Sequence, residues 1–346
     1  LSAGKGVPLF DDEMSLRLPS MPMRPLGRWG MGIGCLLIAV LALGPRVSVD
    51  AVPPAPSVPD SSLDAYLAAS ESAYDDITPG AEKTIQWARA AGTKTPLSMV
   101  YVHGFSATRQ EVAPLCDTLA ARLGANLFYT RLSGHGRPGK ALGRATATDW
   151  LRDTQEALAI GKRLGDQVIL VGTSTGATLA LWAAAELQPE SLAALVLLSP
   201  NLRPRDPSAR VLTWPWGATV ARLMVGSHRT WTPHNEQQAR YWTTRYPVEV
   251  LPEMMALVDL VNDQSLDAIR VPTLVLYDPD DEVISIQAIQ ERLSAVQTSM
   301  IERDTVRSNA PSHHVIAGDI VAPTTTHPVA QRIQRFFRSR LSPAIE

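Results

Sequence analysis

An α/β fold, with a mostly parallel sheet carrying helices on both faces and an inserted helical cap, is the fold class this sequence predicts. Three observations predict it. Short, continuous apolar runs such as Leu97 to Val102, Gln167 to Val171 and Leu192 to Leu198 read as strands buried on both faces. Helical patterns alternate with those runs, which is the signature of crossover connections in a parallel sheet. One long stretch, from Asn201 to about Ala268, breaks the alternation and is too long for an ordinary loop. With 346 residues, 45% hydrophobic and 19% charged, the chain can bury one large core and still supply such an insertion.

Taken in order, the stretch from Leu1 to Ser20 has no clear apolar period and is a candidate non-native leader, with Met21 as a plausible natural start. Arg24 and Arg28 then precede an uncharged run from Trp29 to Gly44, the layout of a signal peptide's basic and apolar regions. Residues 21–51 are therefore expected to be a signal peptide, with small residues Val49 and Ala51 before a cut, or else an uncleaved membrane anchor. Either way the arginines mark the cytoplasmic side, so the folded domain is expected to be exported to the periplasm or secreted, or held at the membrane by this segment. The Pro-rich stretch Val52 to Pro59 reads as an extended linker, and residues 52–96 as linker and N-terminal segment.

The main domain is expected over 97–346. Its elements are strand Leu97 to Val102, helix Gln110 to Leu123, strand Ala125 to Leu132, helix Thr148 to Leu164, strand Gln167 to Val171, helix Thr175 to Leu187, strands Leu192 to Leu198 and Thr273 to Tyr277, and a weaker strand at Ser299 to Glu302. Within the insertion, Trp214, Trp216, Trp231 and Trp242 accompany a helical patch at Leu251, Met254, Met255 and Val258. Cys116 shares a helical face with Val112, Leu115, Leu119 and Leu123 and reads as a core residue, while Cys35 lies in the apolar N-terminal run; no internal disulfide is expected. The formal charge of -2, with no basic run among aromatics, offers no footprint for a nucleic acid partner.

The sharpest motif is Gly172-Thr173-Ser174-Thr175-Gly176, entered from an apolar strand and left by a helix pattern. A serine on such a turn stands above the sheet, and the flanking glycines avoid clashes with the neighbouring strand and helix. A hydroxyl near neutral pH needs a base to take its proton and an acid to orient that base. Carboxylates follow the strand Thr273 to Tyr277 in Asp278-Pro279-Asp280-Asp281-Glu282-Val283-Ile284, and a histidine pair stands at His313-His314-Val315-Ile316. His228, His234 and His327 have no spacing that suggests a metal, and the chemistry requires neither a metal nor a cofactor.

With these residues, the sequence resembles the α/β-hydrolase family from Leu97 to about Phe337 apart from the insertion, in particular bacterial carboxylesterase and monoacylglycerol-lipase-like serine hydrolases. The resemblance implies an order of Ser, acid, His with Ser174 as nucleophile. It selects Asp281 through the family's Gly-x-x-Asp-x-Val pattern, although Asp278 replaces the usual glycine and Asp280 remains the alternative. It selects His314 through His-Val-Ile, with His313 as a neighbour. It also implies an oxyanion hole from the backbone N–H groups of Phe105, in His103-Gly104-Phe105, and of Thr175. His103 reads as structural, and His135, in Gly134-His135-Gly136, as not catalytic.

The resulting expectation is hydrolysis of a small-molecule carboxylic ester, with short- to medium-chain acyl groups, through an acyl-serine intermediate. The same triad serves amides or peptides, thioesters and acyl transfer, so those substrates stay open. A non-catalytic lipid-binding envelope protein on the same scaffold is a further alternative, which would ordinarily lack a triad member. Because substrates bind at the carboxyl ends of the strands, the insertion is expected to roof Ser174, with Trp214, Trp216, Trp231, Met254 and Met255 lining an acyl pocket.

Overall fold

The structure is a computed structural model that describes residues 42–294 and 299–341. The candidate leader, most of the apolar N-terminal run and Cys35 lie outside the described residues. The chain divides into two compact units, residues 1–44 and 45–346, of which the second carries every described strand. Among the described residues, no helix is long and apolar enough to cross a membrane.

The strands in chain order are β1 (Thr84–Gln86), β2 (Thr95–Val102), β3 (Asn126–Tyr129), β4 (Gly165–Thr173), β5 (Leu192–Leu198), β6 (His228–Thr230), β7 (Arg245–Pro247), β8 (Thr273–Tyr277) and β9 (Ile301–Thr305). Seven of them form the main sheet, in the order β1-β3-β2-β4-β5-β8-β9. Every pairing in it is parallel except β1 with β3. The central strands are apolar along most of their length because both of their faces are covered. On β4, Val168 and Leu170 enter one core and Ile169 and Val171 the other, as the two-residue period of a strand requires. The first core packs under the helices Ala147–Leu164 and Thr175–Trp182, and the second under Leu115–Leu123 and Pro323–Arg340. Cys116 sits fully buried in the second core.

Local signals explain the helix limits. Thr146 and Asp149 form a reciprocal capping box at the start of Ala147–Leu164. Gly124, left-handed at φ 60°, closes Leu115–Leu123. The helical pattern expected from Gln110 is divided into a 3-10 turn, Arg109–Glu111, and the helix from Leu115, because Pro114 cannot donate a backbone hydrogen bond. The pattern expected from Thr175 to Leu187 is α-helical to Trp182 and a π-turn over Ala183–Leu187.

The folded unit reaches further toward the N-terminus than the expected start at Leu97. Strand β1 adds the antiparallel edge, and the helix Leu63–Glu71 buries Leu63 and Leu67 in the first core. The Pro-rich stretch lies along this core, where Trp182 Nε1 donates to Ala51 O at 2.9 Å and Gln155 Nε2 to Pro53 O at 3.0 Å. A buried indole or amide needs such acceptors, and an extended backbone supplies them.

Between β5 and β8 the chain makes a long excursion from the sheet. It holds a 3-10 helix (Pro207–Thr213), helices Gly217–Val225, Glu236–Tyr241 and Val250–Asp263, and a small antiparallel ribbon of β6 and β7. The ribbon is an addition to the helical insertion that the sequence predicts.

Candidate active site

The register of the two central strands sets Val102 opposite Gly172, so the loop His103-Gly104-Phe105 and the turn at Ser174 leave the sheet side by side. This is the edge where open α/β sheets bind ligands. Ser174 sits at φ 52° and ψ -116°, outside the broad basins of an L-residue, and begins the helix Thr175–Trp182. The turn closes so tightly that a Cβ on Gly172 would come 2.4 Å from Gly176 O, and one on Gly176 would come 2.0 Å from Val102 O. Its backbone is pinned by Ser174 N donating to Leu198 O at 2.8 Å.

Ser174, His314 and Asp281 meet in one hydrogen-bonded line. Ser174 Oγ lies 2.9 Å from His314 Nε2, and His314 Nδ1 lies 2.7 Å from Asp281 Oδ2. A carboxylate can only accept, so Nδ1 carries the ring proton and Nε2 is left to accept from the serine hydroxyl. The other Asp281 oxygen accepts from the N–H groups of Val283 at 2.8 Å and Ile284 at 3.0 Å, which fixes the carboxylate's orientation. His314 is held from its own backbone, where Ser199 Oγ donates to His314 O at 2.8 Å.

The neighbouring candidates go elsewhere. Asp280 is 64% exposed and pairs with Arg307 on the surface. Asp278 is buried and ties its own turn to the segment after β9, accepting from Asp280 N at 2.9 Å, Ser308 N at 2.7 Å and His313 Nδ1 at 3.2 Å.

His103 and His135 are structural. Leu132 N donates to His103 Nε2 at 3.1 Å, so Nδ1 bears the proton and donates to Gly104 O at 2.9 Å; the ring ties the loop after β2 to the loop after β3. Burial pushes its pKa down to about 4 and keeps it neutral. His135, also buried and also pushed down by burial, donates from Nδ1 to Ser133 O at 3.1 Å. It packs edge-on against Phe105, which also meets Tyr246 and Trp150, so aromatic contacts fix the residue next to Gly104.

One feature of the site has no signature in the sequence. Glu111, fully buried, accepts from Tyr101 Oη at 2.6 Å and from Gly104 N at 2.5 Å, and Tyr101 Oη also lies 2.9 Å from Thr173 Oγ1. A carboxyl thus stands against the loop after β2 and, through Tyr101, is linked to the end of β4 just before Ser174. Burial raises its pKa to about 7, against the opposing pull of those two hydrogen bonds and of the His314 ring.

Ser174, His314, Phe105 and Thr175 open on a cleft of about 580 Å³ beneath the insertion. Trp231 and Met254 line it. Trp214, Trp216 and Met255 do not, and the expectation for these three is corrected. Trp214 ends the 3-10 helix pointing outward and is 60% exposed. Trp216 lies at the start of Gly217–Val225, outside the lining. Met255 follows Met254 on one helix, where consecutive side chains diverge by about 100°, so it turns into the packed interior. The missing wall comes from Val211, Leu212, Met224, Trp242, Tyr246 and Leu251. Leu251 stands one helical turn before Met254, a spacing visible in the sequence; the others are brought in by the folding of the insertion. Among the described residues, no group of three or more His, Cys, Asp and Glu side chains is placed to hold a metal ion.

A parallel sheet with its serine on a strained strand-to-helix turn defines an α/β-hydrolase. The family described as serine aminopeptidase, S33, matches over residues 94–307, so this chain belongs to that hydrolase family. A thermostable monoacylglycerol lipase from Bacillus sp. (strain H-257) is 32% identical over 89 residues, which is 26% of this chain and 35% of that protein. The chain thus aligns with about a third of the length of that relative. In fold, it is similar to a structure of the metagenome-derived lipolytic enzymes LipS and LipT, with a TM-score of 0.61 at 20% identity over 76% of this chain and 99% of that one. It is also similar to the monoacylglycerol lipase of Paleococcus ferrophilus, with a TM-score of 0.54 at 18% identity over 75% and 99% of the two chains.

Proposed function

We propose that this chain hydrolyses carboxylic esters with short- to medium-chain acyl groups through an acyl-Ser174 intermediate. The observation that carries the reading is the line of hydrogen bonds from Ser174 through His314 to Asp281, opening on a cleft with mostly apolar walls. The lipolytic activities named for the similar proteins support an ester rather than another acyl substrate.

In this reading, Ser174 Oγ attacks the carbonyl carbon while its proton passes to His314 Nε2, and Asp281 stabilises the imidazolium. The carbonyl oxygen becomes an anion held by the N–H groups of Phe105 and Thr175; the latter begins a helix, where N–H groups lack intrahelical partners. Collapse returns the proton to the leaving alcohol and leaves the acyl group on Ser174. Water, deprotonated by His314, then attacks the acyl carbon and releases the acid. The apolar walls contribute about 0.8 kcal/mol per buried methylene, so preference should climb by up to a few-fold per carbon and level off once the cleft is full. Arg24, Arg28 and the apolar run behind them support export of the domain, or its attachment to a membrane by that run.

The test is a panel of p-nitrophenyl esters of increasing chain length, beside amide and thioester analogues, with wild type and Ser174→Ala. Ester turnover that disappears by several orders of magnitude in the mutant is expected. Near-wild-type turnover by Ser174→Ala would overturn the mechanism. Faster cleavage of amides than of matched esters would transfer the activity to the peptidase reading.

A further inference from the structure

We propose that the side-chain hydroxyl of Thr175 is a third donor of the oxyanion hole, an inference that rests on Ser174 being the nucleophile. Thr175 is 1% exposed, and its Oγ1 is buried with no hydrogen-bond partner among the described residues, yet the residue lines the cleft next to Ser174. Buried hydroxyls are ordinarily paired. A threonine inside a helix solves this by bonding to a carbonyl one turn back, as Thr178 does with Ser174 O at 3.2 Å while also reaching Asn201 O at 2.7 Å. Thr175 is the first residue of its helix, and the residues three and four before it, Gly172 and Val171, belong to β4 and are paired in the sheet. That local solution is closed to it.

Covalent geometry makes the oxyanion its natural partner. A threonine Oγ1 in a gauche rotamer stays about 3 Å from the nitrogen of its own residue, so where the two lie on the same side an oxygen reached by Thr175 N–H is also within reach of the hydroxyl. The other unpartnered buried atom in this cleft, Asn201 Oδ1, is an acceptor and has nothing to give an anion. The hydroxyl can give a proton. Its bond to a neutral carbonyl is weak and strengthens as negative charge develops, which is the pattern that raises kcat more than it lowers KM.

The decisive comparison is Thr175→Val, which replaces the hydroxyl by a methyl group of similar size, against Thr175→Ser, which restores it, with Ser174→Ala alongside. Thr175→Val should lose on the order of 10- to 100-fold in kcat with KM nearly unchanged. It should bind an alkyl trifluoromethyl ketone, whose serine adduct carries the anionic oxygen, more weakly by a similar factor. Thr175→Ser should recover most of both. The Tm of Thr175→Val should not fall, because a hydroxyl without a protein partner is being removed. Wild-type kcat in Thr175→Val would overturn the third donor, and so would a kcat loss that comes with a lowered Tm and is not rescued by serine. If Ser174→Ala is inactive in those cases, only the third donor fails; if Ser174→Ala stays active, the nucleophile assignment fails with it.

Discussion

Replacing Glu111 by Gln should flatten the dependence of stability on pH above the acid range. The carboxyl is fully buried, and burial raises its pKa from 4.5 to about 7. Below pH 4.5 it is protonated in both the folded and unfolded states and costs nothing. Between 4.5 and about 7 the unfolded chain ionises while the folded one holds its proton, so each step up in pH favours unfolding. Above 7 both states are ionised and the loss is complete, amounting to about 3 kcal/mol for a displacement of this size. The glutamine side chain cannot ionise, and its amide oxygen can still accept from Tyr101 Oη and Gly104 N, so the variant imitates the protonated carboxyl. Burial also raises Asp153 to about 6 and lowers His103 to about 4, and both add their own slopes. The informative quantity is therefore the difference between the two proteins. Urea unfolding of wild type and Glu111→Gln at a series of pH values from 4 to 9 should give curves that run together in acid and separate with rising pH, the variant being more stable. Parallel curves would refute the reasoning, and a variant less stable at pH 9 would show that the ionised carboxylate is what holds the loops.

Within the relay, His314→Ala and Asp281→Asn should each lower kcat by several orders of magnitude, while His313→Ala and Asp280→Asn stay within a few-fold, as measured by p-nitrophenyl ester turnover. Gly176→Ala should fail to give folded protein, because the new Cβ falls 2.0 Å from a backbone oxygen that cannot swing away; a normal Tm would contradict the packing of the turn. Trp231→Ala and Met254→Ala should shift the chain-length optimum on the ester panel, whereas Trp214→Ala should not, and an equal response from all three would contradict the assigned lining.

The strands that carry the site were legible because burial on both faces removes nearly every polar residue from them. Leu192–Leu198 and Thr273–Tyr277 fall where the apolar runs put them. Edge elements leave no such trace. Strand β1 is only Thr84-Ile85-Gln86, with neither face fully covered, and the ribbon strands His228–Thr230 and Arg245–Pro247 are three residues each, with Tyr246 alone buried. Nothing in their composition separates them from loop, since it is their partner strand that makes them strands.

The same physics divides the site. Ser174 was legible because its turn forces glycine at two nearby positions, so steric demand is written into the local sequence. The choice of Asp281 over Asp280, and of His314 over His313, was carried by resemblance. Local chemistry offers adjacent residues of the same kind, and only the tertiary path of two loops turns one of each pair inward. Glu111 shows the limit most clearly. In a string such as Arg109-Gln110-Glu111 it has the look of a solvated helix face, and the proton that sets its behaviour depends on Tyr101 and Gly104, which approach only after β2 and the turn following it have packed. A buried charge is defined by its surroundings, so a sequence names the groups that can titrate without naming those that must. The cleft walls follow the same rule, because Met254 and Met255 have the same chemistry and differ only by a rotation about one helix axis.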